Sequence, residues 1–172
     1  MTLWFISDTH FRHSNILTFT REDGTPLRPF SSVEEMDELM IERWNAVVRP
    51  SDHVWHLGDV TMLRGNAIKT IDHSIMARLA GHKRLILGNH DHGDIKWYAQ
   101  WFEKIRGSHR IDRTLLFSHI PIHPESLPKG CFNIHGHTHA RPSTLPYMNI
   151  SVERTNYRPL SLEEIKELCA AS

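Results

Sequence analysis

The chain has 172 residues, with 20 Lys and Arg balanced by 20 Asp and Glu, and 40% of its residues are hydrophobic. That length points to one domain, residues 1–172, with a core of its own. The balanced charge counts against an extended nucleic-acid surface or an anionic membrane as partner. Two cysteines, Cys131 and Cys169, exclude a disulfide framework, whereas 14 histidines exceed an equal share of the residue types and point to metal chemistry.

The first apolar run, Leu3–Ser7, has strand length. Its wholly apolar part, Leu3–Ile6, is far too short for a membrane span or a signal-peptide core, so a cytoplasmic location is expected. Gly24, Pro26 and Pro29 mark Arg21–Pro29 as a loop. Ser32 and Glu35 form a capping box for a helix on which Val33, Met36, Met40, Trp44 and Val47 keep helical spacing. His53–Leu57 is a second strand. Ile68, Ile71, Ile75 and Leu79 predict a second helix, with Gly81 as its C-terminal cap. Arg84–Leu87 is a third strand, and Asp94 can cap a helix carrying Tyr98, Trp101, Phe102 and Ile105. Strands at Leu115–Ser118, Phe132–His135 and Tyr147–Val152 follow, with a proline-marked loop, His119–Lys129, after the first of them. Ser161 with Glu164 opens a terminal helix. Strand and helix alternate in the first half and the second half is richer in strands, which is an α/β pattern.

The polar residues that follow these strands carry the chemistry. Leu3–Ser7 runs into Asp8-Thr9-His10, His53–Leu57 into Gly58-Asp59, and Arg84–Leu87 into Gly88-Asn89-His90-Asp91. Leu115–Ser118 runs into His119, and Phe132–His135 into Gly136-His137-Thr138-His139. In open α/β sheets the carboxyl ends of the strands are where ligands bind. Imidazole, carboxylate and amide oxygen together suit Mn, Fe, Zn or Ni, and the set is large enough for two ions. Two divalent cations offset by Asp8, Asp59 and a bridging hydroxide would leave a site of about +1 charge, which attracts phosphate.

The order D-x-H, G-D, G-N-H-D, a lone H and G-H-x-H resembles the calcineurin-like metallophosphoesterase superfamily. The opening Asp8–His13 with Arg28-Pro29-Phe30 and Ser32–Asp37 is similar to its short bacterial and phage branch. The resemblance implies two packed, mostly mixed β-sheets flanked by helices, an αββα sandwich with its metal site at the carboxyl ends of the strands. It implies that Asp8, His10 and His139 hold one ion, that Asn89, His119 and His137 hold another, and that Asp59 bridges both. Manganese is the first expectation, with Fe, Zn, Ni and Mg as alternatives. A metal-bridging hydroxide would attack phosphorus, His90 would protonate the leaving oxygen, and Asp91 would hydrogen-bond the His90 ring and keep it charged. Gly58–Gly65 lacks the Asp-Arg-Gly step and the quartet ends in Asp91, so protein phosphatase activity is not expected. The expected substrate is a small phosphodiester such as a cyclic nucleotide. A nuclease acting on DNA or RNA ends is the alternative, and a non-catalytic scaffold of the same fold is a weaker one.

Arg12, His13 and Arg64 are the candidates for substrate contact, with Arg28 and Arg141 as further guanidinium groups that could clamp phosphate. His56 is read as a packing or supporting residue. His123 is read as a surface residue. His53, His73, His82, His92, His109 and His135 have no placement in the sequence that argues for chemistry. Trp44, Trp55, Trp97 and Trp101, with Trp4, are read as core, and Cys131 as a small buried apolar residue. Oligomeric state stays open.

Overall fold

The computed structural model describes residues 1–91 and 95–171. In the first sheet, β1 (Leu3–Ile6), β2 (His53–His56), β3 (His82–Ile86) and β4 (Lys104–Arg106) run parallel. β9 (Leu160–Ser161) joins antiparallel beside β1, in the order β4-β3-β2-β1-β9. The second sheet orders β5 (Ser108–Ile111), β6 (Leu115–Ser118), β7 (Phe132–His135) and β8 (Tyr147–Asn149), parallel except for β5. The helices are α1 (Val33–Val47), α2 (Ile71–Ser74), α3 (Ile95–Trp101) and α4 (Leu162–Ala170). The α/β architecture of two mixed sheets flanked by helices is the one expected. Among the described residues, no helix is long and apolar enough to cross a membrane.

Successive strand residues serve two different cores. Ile6, Val54 and Leu85 pack with Met36, Met40 and Trp44 of α1 and with Ile71, Met76 and Tyr98. Phe5, Trp55 and Ile86 face the other way, against Phe117 and Ile134 of the second sheet and Ile165 and Cys169 of α4. Phe5 and Phe117 stack with ring centroids 4.1 Å apart. Burial on both faces is why these strands read as continuous apolar runs rather than alternating ones. Trp44, Trp55 and Trp97 are buried, and Trp4 and Trp101 pack on the first core, as expected.

Four local readings change. The apolar spacing of residues 68–79 is right, since Ile68, Ile71, Ile75 and Leu79 are all buried. The helix itself is broken, with α2 flanked by 3₁₀ turns at Gly65–Thr70 and Met76–Arg78 and with Ile75 outside helical geometry at φ −133°. Gly81 therefore caps nothing and leads into β3. Ile105 lies in β4 rather than in a helix, because α3 ends at Trp101. Tyr147–Val152 stops pairing with β7 at Asn149, and Ser151 crosses to bridge Ser7 of the first sheet. Finally, Ser32 Oγ accepts the Glu35 N–H, but the Glu35 carboxylate turns to the Ser31 N–H and hydroxyl, leaving half a capping box. The box at Ser161 and Glu164 is complete. Asp94 and His92 lie outside the described residues.

Candidate metal centre

The loops that leave β1, β2, β3, β6 and β7 converge. Asp8, His10 and His139 each offer a ligand atom within 4.8 Å of the others, and Asp59, His119 and His137 form a second such group. Asp59 Oδ2 lies 3.6 Å from His10 Nε2 and 3.3 Å from His119 Nε2, so it stands between the groups. Asn89 Oδ1 lies 2.9 Å from His119 Nε2 and 2.8 Å from His137 Nδ1. All seven candidate positions come together.

Supporting hydrogen bonds aim these side chains inward. His119 Nδ1–H donates to the Leu57 carbonyl at 2.8 Å, which leaves Nε2 free to face Asp59. His139 Nδ1–H donates to Glu153 Oε1 at 3.0 Å, leaving its own Nε2 as the available nitrogen. Asp8 Oδ2 accepts the His137 N–H at 2.9 Å and the Ser151 hydroxyl at 3.0 Å. His56 Nδ1 accepts the Gly58 N–H, so its Nε2–H donates to Thr9 Oγ1, whose hydroxyl donates to Val60 O. Burial pushes His56 down to about 3, so it stays neutral in this supporting role.

The backbone is shaped to the same end. Asp8, His10, Arg12, Asp59, His137 and His139 all have positive φ, between 49° and 67°. Such conformations are uncommon for residues with a Cβ and collect at functional sites. A Cβ on Gly136 would meet Ser7 Oγ at 2.0 Å and Asp8 Oδ2 at 2.2 Å, and one on Gly88 would meet Asp59 Oδ1 at 2.2 Å. Only glycine lets these loops approach the carboxylates.

The donor set fits a pair of divalent cations. Both ring nitrogens of His10 are buried with no hydrogen-bond partner. An orphaned buried polar atom of this kind costs about 1–3 kcal/mol, and a cation coordinated to one ring nitrogen removes that cost there. Burial opposes charge on Asp59, yet His119, with the His90 N–H, outweighs it and holds the carboxyl well below its usual range. Burial also pushes His10 down, to the neutral form a ligand needs.

No family model matches the chain. It is 35% identical over 174 residues to the uncharacterized protein MJ1445 of Methanocaldococcus jannaschii, covering 96% of this chain and 90% of that one. The chain belongs to the family of MJ1445. The gene 66 protein of Mycobacterium phage L5 is 29% identical, across 80% of this chain and 77% of its own length. A solved structure of similar form is the protein of unknown function AQ665 from Aquifex aeolicus, with a TM-score of 0.74 and 30% identity over 97% of this chain and 98% of that one.

The remaining candidates from the sequence divide. His90 overhangs the centre, its side chain 35% exposed and its Nε2 4.0 Å from Asp59 Oδ2. His13 also faces it, with its ring 5.4 Å from that of His10. Asp91 does not hold the His90 ring. Its buried carboxylate accepts the N–H groups of Asp59, Val60 and Gly88 and the Tyr98 hydroxyl, which fills its acceptor sites. Arg12 is turned to α1, where its guanidinium meets Glu34 at 3.0 Å and Asp37 at 3.4 Å. Arg64 is exposed, and its charge is felt at Tyr98. Arg28 is no phosphate clamp. It is wholly buried, paired with Glu153 and donating to the carbonyls of Asp8 and Thr9.

Glu153 was missed, although the pattern used for the other loops reaches it. It directly follows the predicted strand Tyr147–Val152, as the ligands follow theirs. Burial would raise its carboxyl, but Arg28 and His139 outweigh that and hold it at about 2. Beside His137 and His139 opens a cavity of about 680 Å³, also lined by Phe19, Arg21, Leu27 and Arg141.

Proposed function

We propose that the chain is a dinuclear-metal phosphoesterase that hydrolyses small phosphodiesters, a cytoplasmic member of the calcineurin-like metallophosphoesterase superfamily. The observation that carries this reading is the pair of donor groups sharing the Asp59 carboxylate. Asp8, His10, His139 and Asp59 would hold one cation, and Asp59, Asn89, His119 and His137 the other. Manganese is the first candidate, with Fe, Zn, Ni and Mg behind it. Bound there, such a pair supplies a water activated at neutral pH and the charge that draws a phosphoryl oxygen.

The chain's own groups do the rest. His90, on the open side of Asp59, delivers a proton to the leaving oxygen. Neutral His10 and the oriented carboxylates of Asp8 and Asp59 would fix where the cations sit, and through them where the phosphate binds. The adjoining cavity has the size for a mononucleotide, and Phe19, 47% exposed, offers a face for a base. Arg21 and Arg141 at its rim are balanced by Glu22 and Asp23, with Glu22 Oε1 3.9 Å from Arg141 Nε, so the rim adds no net charge.

The test is hydrolysis of bis-p-nitrophenyl phosphate and p-nitrophenyl phosphate by metal-stripped protein reloaded with Mn, Ni, Zn or Mg in turn. Diester turnover restored by one of these ions, faster than monoester turnover, is the expected result. No turnover of either ester, with two ions bound per chain, overturns the reading.

A further inference from the structure

The opposite end of the first sheet carries a donor cluster that the phosphoesterase reading does not use. His53 opens β2, His82 opens β3, and Glu103 directly precedes β4. β2 and β3 are parallel neighbours with His53 in register with His82, so the two rings stand side by side, centroids 5.0 Å apart. The Glu103 N–H donates to the Lys83 carbonyl, which fixes the carboxylate beside His82, and its Oε1 meets His82 Nδ1 at 2.5 Å. One ligand atom from each of the three residues lies within 4.8 Å of the other two. His53 Nδ1 is buried and has no hydrogen-bond partner. Asp59 lies six positions after His53, beyond the carboxyl end of β2, so this cluster lies roughly 20 Å from the candidate metal centre.

We propose that His53, His82 and Glu103 form a separate site for one transition-metal ion of the zinc, nickel or copper class. Two imidazoles and one carboxylate are the donors such ions take, whereas magnesium and calcium need a shell of oxygens. The surrounding charge sharpens that choice. Arg84 and Lys104 are close enough to act on His53, so a single carboxylate sits among cations. A hard cation held by charge alone gains nothing there. An ion held through imidazole nitrogen does, and it keeps an open position for water or an exogenous ligand. It would also tie β2, β3 and the start of β4 together at the sheet's amino edge.

Zn²⁺ alone, dialysed against the metal-stripped full chain and against His82→Ala and Glu103→Gln, tests this. The two side chains are 49% and 47% exposed, so their loss spares the core, and far-UV circular dichroism checks the fold of each variant. The native chain should retain one more zinc equivalent than either variant. Each variant should also lose part of the zinc-dependent rise in Tm. The difference is read between chains that share the phosphoesterase centre, so it holds whether or not that centre fills. Equal zinc content in the native chain and either folded variant overturns the proposal.

Discussion

The Asp91 carboxylate accepts the backbone N–H of Asp59 at 2.7 Å, across 32 residues of chain. The same carboxylate takes the N–H groups of Val60 and Gly88. One buried side chain thus fixes the two loops that carry Asp59 and Asn89. Burial pushes its carboxyl up, against the pull of these N–H groups. Asp91→Asn keeps the shape but turns two acceptor sites into donors. Manganese affinity should fall roughly 10- to 100-fold, as it does when groups supporting a ligand are removed. Isothermal titration of metal-stripped protein measures it, and native affinity in the variant would remove Asp91 from this role.

His90 should behave in the opposite way. Its ring reaches over Asp59 without lying in either donor group. His90→Ala is expected to keep both metal ions while turnover of a diester with an alkoxide leaving group drops about 10²- to 10⁴-fold, the range of a lost general acid. The drop should shrink for an ester whose leaving group needs no proton. Metal content by elemental analysis alongside turnover separates the two variants, and metal loss in His90→Ala would sink the assignment.

The candidate ligands were legible because each follows a strand, and a strand's end fixes where its next residues go. That logic brought Asp8–His10, Gly58-Asp59, Gly88–Asp91, His119 and Gly136–His139 into view, and the resemblance singled out the candidate ligands within them. It could not see what a buried charge does once the chain closes. Arg28 sits in a Gly- and Pro-rich loop and reads as a free surface cation, yet folding seals it against Glu153, 125 residues away. Asp91 sits beside His90 in sequence, but the turn at Gly88 sends the two side chains to different partners. The strands β4 and β5 escaped notice because they are short and half polar, and edge positions tolerate Lys104, Arg106 and Arg110.

The Arg28 and Glu153 pair makes a stability prediction. Both side chains are wholly buried, and Glu153 also receives His139 Nδ1–H. Glu153→Gln leaves the guanidinium without its counter-charge in the interior. Removing one partner of such a pair typically costs about 3–5 kcal/mol. Urea unfolding of metal-stripped protein should show a loss of that order, together with weaker metal binding through His139. A loss under about 1 kcal/mol would mean that the carbonyls of Asp8 and Thr9 satisfy Arg28 unaided.

Asp37 gives a pH dependence whose sign can be worked out. It is buried in α1, where both carboxylate oxygens accept the Arg12 N–H at 3.3 Å and face the Arg12 guanidinium. Burial raises its carboxyl to about 7, because Arg12 offsets only part of the desolvation. An unfolded Asp titrates near 4, so from about pH 4 to about pH 7 the folded chain holds a proton that the unfolded chain has released. The associated stability is complete below that window and is lost as pH rises through it. Asp37→Asn carries no such proton. Between pH 5 and pH 8 the native protein should therefore lose stability relative to the variant, by an amount on the order of 3 kcal/mol. Urea unfolding of both metal-stripped proteins at the two pH values reads the difference. An unchanged difference would mean that Arg12 keeps Asp37 ionised throughout, and that the turn at Arg12 rests on a permanent ion pair.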